Sequence, residues 1–332
     1  TEIYTLSLHD ALPISVSKLI TAIGIMKLQE MKKLRMNEKV FGPKGILNDT
    51  TYNNGIKDQR YYNITVEQLL RHQAGFNNYA GDPVSSTRYI MMQNRLTTPP
   101  DHKTLLKILL KRHLGYTPGE GKCYSNLGYI ILSMIIEKKS GMKYENFMKK
   151  YVLQPAGCYD MHIAGTYYKD RRPNETKYYM HQGSIPVYEY NNSGRMVEKC
   201  YGDTDLPRLS GAGAWCGSAA ELSRLIASID DLPHVKDILS QKSIQFMTTE
   251  QPDHQYSIGW NYTPKSNRPW IRTGSLAGTS AIVLKYPDGQ CWILITNTST
   301  WKGHGFSNDT VAFFEKLRKQ FMADMPKKDL FI

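Results

Sequence analysis

The chain has 332 residues, 41% of them hydrophobic, enough to bury a substantial core in one large domain or two ordinary ones. Its 42 Lys and Arg against 30 Asp and Glu give a formal charge of +12, but the basic residues are scattered in short clusters. No nucleic-acid-binding motif accompanies them, so no nucleic-acid partner is expected. No run of eighteen or more apolar residues occurs, so no membrane-spanning helix is expected.

Residues 1–14 lack the basic start, apolar middle and small-residue cleavage site of a signal peptide, and their wording resembles a translated sequencing adapter. They are expected to be a non-native leader, with any export signal lost alongside the native start. From Ser15 onward, Leu19, Ile20, Ala22, Ile23, Met26, Leu28, Met31 and Leu34 recur at spacings of three and four. That pattern predicts a helix starting at or just before Ser15 and ending near Arg35, with Ser15 and Lys18 one turn apart on one face. A serine hydroxyl is a weak nucleophile until a neighbour takes its proton, and a buried lysine near other positive charge can do so. A helix N-terminus also favours a developing oxyanion. The spacing alone carries little, because Ser-x-x-Lys also occurs at Ser140/Lys143 and Ser299/Lys302.

A polar, turn-rich passage from Asn37 to Tyr62 precedes a short helix in which Thr65 and Gln68 form a capping box and Gly75 supplies the end. Residues 76–100 read as a long loop of the kind that borders binding sites. A helix over Lys103–Arg112 follows, and then a turn, Pro118 to Asn126, that feeds a helix from Leu127 to Lys139 closed by Gly141. Tyr124 and Asn126 stand at that entrance, where side chains can be aimed into a cleft, but Tyr-x-Asn alone means little and reads first as a half-buried tyrosine beside an N-cap asparagine.

Residues 165–210 suggest hairpins and loops, with strand-like patches at Tyr178–Met180 and Ile185–Tyr190. Gly211 and Gly213 allow close backbone approach, and Ser218 with Glu221 opens another capped helix. In the last third, Tyr256–Tyr262, Trp270–Thr273, Thr279–Tyr286 and Gln290–Thr296 read as strands. Pro287-Asp288-Gly289 turns the last two into an antiparallel hairpin, and a helix over Asp309–Met322 covers one face. The cysteines, Cys123, Cys158, Cys200, Cys216 and Cys291, are odd in number and dispersed, and the histidines show no His-Glu-x-x-His pattern. Buried free thiols, no metal and no cofactor are therefore expected.

Three elements stand in order: Ser15-x-x-Lys18 opening a helix, Tyr124-x-Asn126 before a second helix, and Arg272-Thr273-Gly274 on a late strand. This order resembles the serine β-lactamase-related hydrolases, the family of class C β-lactamases, DD-peptidases, related esterases and D-aminopeptidases. The likeness runs from Ser15 to about Thr298. It implies an α/β fold of the α+β type: a mainly antiparallel sheet flanked by helices with an inserted, mostly helical subdomain. The expected organisation is a leader over 1–14 and one catalytic domain over 15–322. That domain divides into an α/β part (15–60 and 211–322) and an insert (61–210), with a tail over 323–332. Because the family's sheet also uses strands from before the nucleophile, an incomplete sheet with an exposed edge is expected.

The resemblance implies a serine hydrolase that forms an acyl-serine on an amide or ester: a β-lactam, a D-alanyl peptide or a small ester. Ser15 would be the nucleophile, Lys18 its proton acceptor or electrostatic partner, and Tyr124 the second proton-transfer group. Asn126, Arg272, Thr273, Gly274 and Ser275 would contact substrate, with the N–H groups of Ser15 and Ser275 as the oxyanion hole. Relatives usually carry Lys or His where this chain has Arg272. Arginine keeps the charge and can bind a carboxylate or lower the pKa of Tyr124, but cannot shuttle protons. The family's habit places the protein outside the cytoplasm, in the periplasm or envelope, acting on a small-molecule or peptide partner. The alternative is a non-catalytic envelope binding protein that keeps the cleft.

Overall fold

The apolar run after Ser15 forms the central helix of the molecule, Ser17–Glu30, entered through a 3-10 turn at Ile14–Val16. The computed structural model describes residues 9–78, 81–233, 235–250, 256–298 and 305–321. Most of the expected leader, the Ser299/Lys302 copy of the motif, Met322 and the tail over 323–332 lie outside the described residues.

The central helix is buried nearly all round, with Ser17, Lys18 and Thr21 as deeply enclosed as its leucines and isoleucines. A helix of that kind belongs to the middle of a core. It stops at Glu30, five residues before the expected end, because Lys32 takes a left-handed conformation (φ 57°). The N–H groups of Lys32 and Lys33 then fold back onto the Gln29 and Leu28 carbonyls. The Asn126–Ser140 helix packs against it and ends at Gly141 in the αL conformation, as the sequence suggests. Gly24 sets the close approach on the central helix: a Cβ there would lie 2.5 Å from Met148 Sδ and 3.2 Å from Ile136 Cδ1. The single helical turn Ser210–Gly213 completes this layer, where a Cβ on Gly211 would lie 2.4 Å from the Tyr129 carbonyl.

Behind this layer runs an antiparallel sheet in the order Trp270–Leu276, Thr279–Lys285, Cys291–Thr296. Arg272 is opposite Val283 and Gly274 opposite Ala281. The middle strand is buried throughout. The hairpin turn closes through Tyr286 N–H to the Gln290 carbonyl, with Gly289 at φ 94°. The Gly305–Phe321 helix covers the sheet, and Phe314 meets Trp292 at a ring-centroid distance of 5.3 Å in a separate apolar cluster with Ile282, Leu284 and Tyr286.

Both capping boxes, Thr65 with Gln68 and Ser218 with Glu221, are present. Four expectations need correction. The first capped helix ends at Leu70 and its chain turns at His72 (φ 57°), before Gly75 is reached. The long loop at 76–100 contains a helix, Thr87–Asn94, because Ile90 and Met91 are drawn into the core. Tyr256–Tyr262 is not a strand: Gly259, at φ 79° and pressed against Leu19, breaks the extended run, leaving one bridge between Tyr262 and Ile271. Of the cysteines, all free, only Cys158 and Cys216 are fully buried. Among the described residues no helix is long and apolar enough to cross a membrane.

Candidate active site

Ser15 lies in the 3-10 turn at the mouth of the central helix, half-buried, directly after Ile14. Ile14 has φ 45°, a left-handed backbone that a β-branched residue adopts only under constraint. The constraint is visible in the contacts. The Thr279 hydroxyl donates to the Leu12 carbonyl at 2.8 Å, and Gly274 lies so near that a Cβ on it would stand 2.2 Å from the Pro13 carbonyl and 2.8 Å from Ser15 N. The late strand thus clamps the Ser15 turn, and glycine is required at position 274 for it to do so.

Lys18, one turn on, is fully buried. Its Nζ donates to Asn126 Oδ1 at 2.6 Å, to the Ala212 carbonyl at 2.6 Å and to Ser15 Oγ at 3.3 Å. Three N–H groups meeting three oxygens is the arrangement of an ammonium ion. The Ala212 carbonyl is held in turn, because Thr21 Oγ1 donates to the Gly211 carbonyl at 2.6 Å and the Trp215 N–H donates to Ser17 Oγ at 3.1 Å.

Tyr124 and Asn126 reach the site because Ser125 between them is the true N-cap. Its backbone is extended (φ −139°, ψ 119°) and its hydroxyl accepts the Gly128 N–H at 3.1 Å. In an extended segment the side chains two apart share one side, so capping by Ser125 frees both neighbours for the cleft. The Tyr124 hydroxyl donates to Ser15 Oγ at 2.8 Å, and its ring packs on His72 at 4.7 Å and Tyr256 at 5.9 Å.

Arg272 is buried, 1% exposed, and both Nε (2.7 Å) and Nη2 donate to the Ser15 carbonyl. Nη2 also stands 3.4 Å from the Tyr124 hydroxyl. The guanidinium thus stands beside Tyr124 and also holds the Ser15 carbonyl. A carboxylate binder would need to be more open. Thr273 is half-buried, and its N–H donates to Asn261 Oδ1 at 2.9 Å; Ser275 is exposed and pairs with Ser280.

Electrostatics follow from this packing. Burial alone raises the phenol of Tyr124, but the Lys18 and Arg272 cations outweigh it and bring the group down to about 8. Burial, with Arg272, lowers Lys18, while Tyr124 opposes the shift. Two residues escaped sequence reasoning. Asp82 accepts from Asn126 Nδ2 at 2.5 Å and so orients the amide that faces Lys18. His72 forms the wall behind Tyr124, its Nδ1 accepting the Ser125 N–H at 3.0 Å. Burial, then Lys18 and Arg272, hold His72 well below the usual imidazole range, so it stays neutral. Neither has a local sequence signal; each meets its partner across more than forty residues. A donor set dominated by Lys18 and Arg272 is unsuited to a metal cation, so ligand chemistry around Ser15 is that of an anion or a polarised carbonyl.

A profile of the family described as Beta-lactamase matches residues 14–314. Among curated proteins, the putative penicillin-binding protein PbpX of Bacillus subtilis (strain 168) is 27% identical over 252 residues, covering 76% of this chain and 53% of that protein. The chain spans about half the length of the curated relatives it matches. Among solved structures, a penicillin-binding protein from Bacillus halodurans has a TM-score of 0.69 at 18% identity, covering 94% of this chain and 87% of the other. The D-amino acid amidase from Ochrobactrum anthropi SV3, complexed with D-phenylalanine, has a TM-score of 0.66 at 17% identity and covers 93% of each chain. These structural likenesses establish the shared fold.

Proposed function

The chain belongs to the Beta-lactamase family, and from that premise we propose that it is a serine hydrolase acting on an amide or ester through an acyl-serine. The observation that carries this reading is the junction at Ser15 Oγ, 2.8 Å from the Tyr124 hydroxyl and 3.3 Å from Lys18 Nζ. A phenol brought down to about 8 is present as phenolate in about one molecule in ten at neutral pH, and that phenolate is the base.

The phenolate of Tyr124 takes the Ser15 proton as Oγ attacks the carbonyl carbon. Negative charge moves to the carbonyl oxygen, which the Ser15 and Ser275 N–H groups receive. Tyr124 then returns the proton to the leaving nitrogen or oxygen, the carbon–heteroatom bond breaks, and the acyl group stays on Ser15. Water, deprotonated by the same phenolate, attacks the acyl carbon, and Tyr124 passes that proton to Ser15 Oγ as the ester bond breaks, releasing the acid and restoring the serine. Lys18 remains an ammonium ion throughout, with Asn126, itself set by Asp82, fixing its position. Arg272 positions Ser15 and lowers Tyr124, and Thr273 helps to hold a substrate carboxylate.

The substrate class is a β-lactam, a D-alanyl peptide or a small ester, met outside the cytoplasm, and the catalytic unit is one domain over residues 15–322. Mass analysis after incubation with a fluorophosphonate and, separately, a fluorescent penicillin tests the reading against Ser15→Ala. A single adduct absent from the variant supports it, and penicillin labelling favours β-lactams and D-alanyl peptides. Folded protein that takes neither label would instead be an envelope binding protein.

A further inference from the structure

Three residues beyond Ala212 the chain enters the short strand Trp215–Cys216, which pairs with His162–Ile163 so that His162 lies opposite Cys216. Glu175 joins them from a third segment. All three are enclosed, with exposures of 2%, 4% and 0% for His162, Glu175 and Cys216. One ligand atom of each falls within 4.8 Å of the others, and His162 Nε2 is 3.7 Å from Glu175 Oε2.

The proton on the imidazole is fixed by its other side. Nδ1 sits 2.9 Å from the Asp160 carbonyl, which can only accept, so Nδ1 carries the hydrogen. In the neutral ring Nε2 then keeps its lone pair; the atom is buried without a hydrogen-bond partner and faces the Glu175 carboxylate at 3.7 Å. The second carboxylate oxygen is already satisfied by the Tyr178 hydroxyl at 3.0 Å. With the Cys216 proton lost, three Lewis bases converge in one closed space, an arrangement that a cation between them stabilises. A histidine that donates one N–H to a backbone carbonyl and turns the other nitrogen inward is the usual posture of a metal ligand.

We propose that His162 Nε2, Glu175 Oε2 and Cys216 Sγ form a structural site for Zn2+. Zinc accepts nitrogen, oxygen and sulfur donors together. Around tetrahedral zinc, ligand atoms stand about 3.3–3.8 Å apart. The His162–Glu175 pair already has that spacing, and the widest gap in the triad closes by a side-chain shift of about 1 Å. The Tyr178 hydroxyl, 3.9 Å from Cys216 Sγ, offers a fourth oxygen. Burial holds the free Cys216 thiol well above its usual range; binding displaces its proton to solvent and leaves a thiolate on the metal, with no change of oxidation state. The site is independent of the hydrolase reading; Asp10, bridged to Glu175, adds a further carboxylate 4.0 Å from His162 Nδ1. It departs from the expectation of no metal, because strand pairing brings together positions whose spacing matches no zinc motif.

The test uses the full chain, stripped with a chelator and titrated with Zn2+ against a chromogenic competitor, then with Co2+. The expected results are one equivalent of Zn2+ bound, a higher melting temperature with zinc, and a thiolate-to-cobalt charge-transfer band. Cys216→Ser should abolish the band and His162→Gln should weaken Zn2+ binding by about tenfold or more, while Cys291→Ser changes neither. Folded protein that binds no zinc overturns the proposal and leaves a His162–Glu175 ion pair. Binding that survives both Cys216→Ser and His162→Gln also overturns it.

Discussion

Replacing Arg272 by methionine removes a cation of similar length from beneath Tyr124 and should move the pH dependence of the reaction. Arg272 Nη2 stands 3.4 Å from the phenol oxygen. At that distance a unit charge is worth about 1 kcal/mol with water-like screening and about 5 kcal/mol at an effective dielectric of about 20. Those limits correspond to about one to three and a half units on the Tyr124 pKa. The cation favours phenolate, so its loss raises the pKa from about 8 and shrinks the active fraction at neutral pH. The assay is kcat/KM for a small activated ester across the pH range, which reports groups on the free enzyme. The native chain should gain activity with rising pH and level off above about 8, whereas Arg272→Met should level off at least about one unit higher. Arg272→Lys, which keeps charge but loses the fork on the Ser15 carbonyl, should lower the plateau more than it shifts the inflection. An unmoved inflection in folded Arg272→Met would refute the assignment of Tyr124 as the base controlled by Arg272.

Removing the carboxylate with Asp82→Ala should cut kcat by about ten- to a hundredfold, the worth of a hydrogen bond to a charged group, while KM moves less; steady-state kinetics separate the two. Gly274→Ala places a Cβ against the Pro13 carbonyl and Ser15 N, so fluorophosphonate labelling should slow severely in protein whose far-UV circular dichroism is unchanged. Gly211→Ala should destabilise by about 1–3 kcal/mol because it meets the Tyr129 backbone carbonyl. Gly24→Ala should cost less, since its nearest neighbour is the flexible end of Met148, and urea denaturation of both variants decides the order.

What the sequence made legible was local chemistry. Thr65, Ser218, Gly141 and the Pro287–Gly289 turn announce their elements because a cap or turn is settled within four residues. The Thr87–Asn94 helix was hidden because Ser86 gives it no side-chain cap and its apolar residues are few. Tyr256–Tyr262 alternates like a strand, and only the tertiary contact at Gly259 overrides that pattern. The same division runs through the site. Ser15 with Lys18, and Tyr124 with Asn126, stand out only through their order along the chain with Arg272-Thr273-Gly274, whereas Asp82, His72 and the Ala212 carbonyl take part solely through contacts that fold the chain back on itself.

The hold that Arg272 has on the Ser15 carbonyl spans 257 residues, and those of Lys18 on Asn126 and Ala212 span 108 and 194. A chain whose last strands have not yet docked already has its serine and lysine, but Tyr124 lacks the Arg272 cation and the Ser15 turn has no clamp. On the proposed mechanism, partly folded forms should be chemically silent. Reactivity toward an acylating agent reports completion of the fold, and during refolding it should appear only with the slowest structural phase.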